Sequence, residues 1–75
     1  MRILESYKTS KEGNDCLIKY YVMLIMVDDD YYQTIYSERT LGSWISDEHL
    51  RHSTTMNFPD LHSASEHYRK LKKSI

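Results

Sequence analysis

Glycine and proline are scarce in this chain. Gly13 and Gly42 are its only glycines and Pro59 its only proline among 75 residues. A phosphate-cradling loop needs several glycines at short spacing, so nucleotide binding by that route is excluded. With Cys16 as the one cysteine, no internal disulfide can form, and a reducing setting is expected. That thiol opens an oily run with no base beside it in sequence, and reads as a half-buried side chain rather than a nucleophile. Net charge is missing too. Ten Lys and Arg stand against eleven Asp and Glu, so no bulk field steers the molecule toward nucleic acid. The longest oily segment, Cys16 to Val27, covers 12 residues and includes Lys19, whereas a membrane helix needs about 20. "MRILESYK" is charged near both ends and lacks an apolar stretch followed by a small-residue cleavage site. The expectation is a cytoplasmic protein with no membrane partner.

What is present points to strands. "RILESYKT" mixes β-branched, aromatic and polar residues over a strand-like length. "SKEGND" gathers turn formers, with Gly13-Asn14 suited to positive φ. "CLIKYYVMLIMV" is rich in Ile, Val and Tyr and has no polar face at helical spacing, which favours a strand. Asp28, Asp29 and Asp30 break it, and "YYQTIYSER" reads as a third strand. Beyond Gly42, Ser43 or Ser46 is placed to cap a short helix near 46–52 that has Asp47 and Glu48 in its first turn. "TTMNF" offers a fourth short strand before Pro59.

The strongest helix signal comes last. Ser63-Ala64-Ser65-Glu66 fits a capping box, with Asp60 as an alternative start one turn earlier. Leu61, Ala64, Tyr68, Leu71 and Ile75 recur at spacings of three and four, and Lys72 and Lys73 sit where the helix dipole favours positive charge. The expected fold is α+β over residues 1–75 as a single small domain. It has a three- or four-stranded antiparallel meander with the C-terminal amphipathic helix packed on one face.

One mismatch follows. In the central strand Ile18, Tyr20, Val22, Leu24 and Met26 point one way, and Leu17, Tyr21, Met23, Ile25 and Val27 the other. A strand apolar on both faces expects cover on both. Twelve strand residues extend roughly 40 Å, but a helix of 13 residues spans only about 20 Å. Trp44, Ile45 and Leu50 add a little. A second protein surface, most simply a second copy, is expected to shield the remainder.

Candidate chemistry is weaker than candidate surface. Three adjacent carboxylates in an extended chain point alternately to opposite faces, so Asp28–Asp30 suit a solvated hairpin tip better than an ion site. His49 and His52 share a helix face only if 46–53 is helical, and with His62 and His67 they match no zinc spacing. "RHST" and "LHSA" resemble paired His-x-hydroxyl elements only by chance, since Ala64 stands where the second hydroxyl belongs. No cofactor is implied.

The expected function is therefore a small non-enzymatic protein-binding module. A dimeric inhibitor or adaptor of the phage or mobile-element type suits the size. Its interface candidates are Tyr21, Met23, Ile25, Asp28, Asp29, Asp30, Tyr31, Tyr32, Tyr36 and Trp44. The alternative is a nucleic-acid binder using Arg69, Lys70, Lys72 and Lys73 with sheet tyrosines. The remote alternative is a metal-dependent hydrolase built on His49, His52 and the aspartates.

Overall fold

A computed structural model of the chain describes residues 1–13, 15–42 and 49–75, with the backbone alone for His49. Four strands, β1 (Arg2–Gly13), β2 (Cys16–Asp28), β3 (Tyr31–Gly42) and β4 (His49–Phe58), are followed by one helix, α1 (Leu61–Lys73). The strands form one antiparallel sheet in the order β1-β2-β3-β4, each beside its sequence neighbour. The fold is α+β, as the pattern of strands followed by a capped helix implies.

Scarcity of glycine shapes the turns. At the β1–β2 hairpin it is Asp15 that adopts positive φ, at 58°, and neither glycine does so. Gly13 has another use: a Cβ there would come 3.0 Å from the Cys16 Sγ across the hairpin. At the next hairpin Asp28 pairs with Tyr31 around Asp29-Asp30. Neither central residue has positive φ, so the turn is not of the primed kind that matches strand twist. A register shift at Val27, between Met26 and Asp28, takes up the difference. The Asp28 carboxylate accepts from the Asp29 N–H at 2.8 Å and fixes the turn locally.

One sequence expectation is corrected, and one of the two helix starts is selected. The short helix near 46–52 is not formed by its second half. His49 to His52 lie in β4 and pair with β3 from Glu38 to Thr40, because a ladder to a neighbouring strand outweighs a weak local helical preference. Residues 46–48 are outside the described ones. The helix also begins a turn before the capping box. Asp60 is the N-cap, and its carboxylate accepts from the Ser63 N–H at 2.8 Å and the Ser63 hydroxyl at 3.1 Å. Glu66 instead meets His62 at 3.2 Å, one turn back along the helix.

The helix packs on β2, β3 and β4. Its apolar stripe sets Ala64 and Tyr68 against Val22 and Leu24, with Leu4, Tyr32, Tyr36, Phe58, Leu71 and Ile75 around them. That cluster is small because the molecule is thin. It measures 44 × 22 × 15 Å with a radius of gyration of 13.9 Å, against about 11 Å expected for a compact chain of this length. The helix-bearing side of the sheet accounts for one half of the apolar pattern of β2.

Candidate functional site

The reverse side of the sheet is where the structure and the apolar surplus meet. Antiparallel register places directly paired residues on the same face, so rows can be followed from strand to strand. Ser6, Met23, Ile35 and Thr55 form one row, and Ile3, Ile25, Gln33 and Asn57 the next. Toward the other end, Lys8, Tyr21, Ser37 and Ser53 share a row, followed by Ser10, Lys19, Arg39 and Leu50. None of these residues belongs to the cluster under the helix, and no described element lies over them.

Three properties define this helix-free face. Its middle is apolar: Met23, Ile25 and Ile35 adjoin, with Ile3 beside Ile25 at 59 % exposure. Ile25 is itself only 4 % exposed, between Ile3 of β1 and Gln33 of β3 in its row. One end is basic. Lys8, Lys19 and Tyr21 line a shallow hollow, and the Arg39 guanidinium lies 5.7 Å from the centre of the Tyr21 ring. The opposite end of β2 is the acidic tip, Asp28 to Asp30, with exposed Tyr31.

The predicted interface residues are therefore divided by the sheet. Tyr21, Met23 and Ile25 lie on the helix-free face, and the aspartates and Tyr31 at its tip. Tyr32 and Tyr36 point to the helix side and pack against the core cluster. Tyr32 Oη also donates to the Asp29 carbonyl at 3.3 Å, tying the tip to the sheet. Trp44 lies outside the described residues. The basic candidates Arg69, Lys70, Lys72 and Lys73 are exposed on α1, on the far side of the slab from Tyr21. There Tyr7, 38 % exposed, joins Arg69, Lys72 and Lys73 around a second hollow. The Lys72 ammonium sits over two rings, 5.2 Å from that of Tyr7 and 5.4 Å from that of Tyr68.

One polar cluster was not anticipated from sequence. On the helix side, beyond the end of α1, Tyr36 donates its hydroxyl to Glu38, and Arg51 Nε stands 3.9 Å from the same carboxylate. His52 Nε2 and the Thr54 hydroxyl share a hydrogen bond at 2.8 Å, and the His52 ring is 6.2 Å from that of Tyr36. Burial and the Glu38 carboxylate push the Tyr36 hydroxyl up to about 12, so it stays protonated and donates. The i, i+2 spacing of Tyr36 and Glu38 on one strand was the available signal. Arg51 and His52 arrive only through the β3–β4 pairing, where the register shifts between Glu38 and Arg39.

For metal chemistry, His49 and His52 lie on a strand instead of one helix face, and His67 packs its ring 5.2 Å from that of Phe58. No group of three or more His, Cys, Asp or Glu among the described residues is arranged to hold an ion. No helix is long and apolar enough to cross a membrane. Compared with protein-family models, curated proteins and solved structures, the chain matches none.

Proposed function

We propose that the protein is a non-enzymatic binding module, an inhibitor or adaptor of the phage or mobile-element type, and that the helix-free face of its sheet is its protein-binding surface. The observation that supports this is the apolar middle of that face, where half-buried Met23 and Ile35 adjoin Ile25 and the 59 % exposed Ile3 and no described element lies over them. Apolar surface gathered on one side and rimmed by charge marks an interaction site. Tyr21 and Tyr31 flank it with the large, stiff, amphipathic side chains that dominate binding energy at such surfaces. A slab face of 44 by 22 Å offers on the order of 900 Å², close to the roughly 800 Å² per partner of a standard interface.

The test is affinity capture from the native host cell with three baits: the wild type, a Met23→Glu/Ile35→Glu variant, and Lys73→Glu on the helix side of the slab. A protein retained by the wild type and by Lys73→Glu but lost with the face variant, whether a host protein or a further copy of this chain, is the expected result. Retention indifferent to the face variant overturns the reading.

The grouping of Tyr7 with Arg69, Lys72 and Lys73 supports a second reading, a nucleic-acid contact on the helix side. Single-stranded binding that weakens steeply with salt supports it, and no binding at low salt removes it.

A further inference from the structure

We infer that the partner seated on the helix-free face is a second copy of this chain, applied face to face and rotated so that the two β2 strands run antiparallel across the interface. This rests on the reading of that face as a protein-binding surface, and it names the occupant.

The inference comes from how charge and oil are ordered along the slab. Lys8, Lys19 and Arg39 occupy two adjacent rows at one end of the face. Asp28, Asp29 and Asp30 cap the other end. From Lys19 to the tip is about ten residues of β2, or roughly 33 Å of strand. Midway between them lie Met23, Ile25 and Ile35, the apolar rows. A surface that is basic, apolar and acidic in that order complements itself after a half-turn about an axis through its middle. Each tip then meets the other copy's basic rows, and the apolar rows meet one another. Closed two-fold pairing through one self-complementary patch is the commonest way for soluble chains to assemble.

Size and shape agree. The face matches in area what a stable dimer buries on each partner. Two sheets packed face to face stand about 10 Å apart, so two 15 Å slabs become a helix–sheet–sheet–helix stack with an apolar middle on both sides of β2. Such a stack supplies the second cover that a strand apolar on both faces requires, and it enlarges a core that is small for an independent domain. Glu12, at the corner of the face beyond Lys19, lies outside the apolar rows. Lys19 and Arg39 also interact within their own chain, and the contacts with the partner's tip add to those.

Charge reversal tests both occupant and orientation. One variant carries Asp28→Lys, Asp29→Lys and Asp30→Lys; the other carries Lys8→Glu, Lys19→Glu and Arg39→Glu. Sedimentation equilibrium over a concentration series should show the wild type as a dimer of the 9.0 kDa chain, weakening as salt rises. Each variant alone sets like charges together at both ends and should lose about a hundredfold or more in self-association. An equimolar mixture of the two should form a mixed dimer, because the basic tip of one now meets the acidic rows of the other. Circular dichroism of each variant shows whether its fold is kept, and recovery in the mixture can come only from folded partners. Self-association of either variant at wild-type strength, or no recovery in the mixture, overturns the antiparallel arrangement. A wild type monomeric at several hundred micromolar overturns the second copy as occupant. If such a monomer still captures a host protein through Met23 and Ile35, the binding-module reading stands without the dimer; if it captures none, both fall.

Discussion

Thr34 lies under the helix at 1 % exposure, and its hydroxyl finds no hydrogen-bond partner among the described residues. A buried hydroxyl left unpaired costs on the order of 1–3 kcal/mol. Replacing it by a methyl in Thr34→Val should raise stability by about 1 kcal/mol, read as a higher urea midpoint at unchanged slope. Tyr36 is the other informative residue on that side. Its folded-state value stands above the ordinary 10 of a tyrosine, at about 12, through burial and the Glu38 carboxylate. Between those values the folded chain holds a proton that the unfolded chain has lost. The stability linked to this proton is thus intact below pH 10 and is lost as pH rises toward 12. Tyr36→Phe should flatten the fall in thermal midpoint over that window, and an unchanged slope would show that other groups govern alkaline unfolding.

Among the elements, α1 depends on its first turn, because the sequence gives that turn no acidic residue within the helix. Asp60 supplies the missing charge from the N-cap position. The Ser63 N–H and hydroxyl it accepts hold its carboxyl below the ordinary range. A depressed carboxyl contributes stability that is present above its ordinary value of 3.8 and lost as pH falls through the folded one. Asp60→Ala should therefore lower the melting temperature near neutrality and leave a shallower acid transition below pH 4, followed by circular dichroism. At its other end, the helix reaches the β1 edge through Lys72, held over Tyr7 and Tyr68. Lys72→Ala should cost about 0.5–1 kcal/mol, with amide exchange rising in the last turn of α1 before the rest of the fold.

For the whole molecule, the two faces of β2 should answer mutation differently. Stability for 75 residues is about 4–11 kcal/mol at usual values per residue. Leu24, 2 % exposed beneath the helix, should cost about 2–4 kcal/mol on truncation to Ala, enough to unfold a large fraction of the protein. Met23, its neighbour on the opposite face, should cost much less in dilute monomer and show its effect in association. Denaturation of both variants at low and high protein concentration separates the two. Equal, concentration-independent losses would mean that the helix-free face has no partner.

The residue pattern by itself determined the meander of the first three strands, the amphipathic helix, the acidic hairpin tip and the two apolar faces of β2, and it left the fourth strand open. These are local or periodic properties, written in alternation at period two and recurrence at spacings of three and four. It was misleading where neighbouring signals compete. At residues 49–52 a weak helical pattern yielded to pairing with β3, and at the start of α1 the Asp60 cap took precedence over a well-formed capping box. Only the tertiary structure decided which apolar face receives the helix, since both faces of β2 carry similar side chains and chain connectivity selects between them. That choice sends Tyr32 and Tyr36 into the core and leaves Tyr21, Met23 and Ile25 on the helix-free side. The β3–β4 pairing, also tertiary, brings Arg51 and His52 to Glu38 and Tyr36. Those contacts cross between strands at distances along the chain that no local pattern encodes, and the register of β3 against β4 sets them.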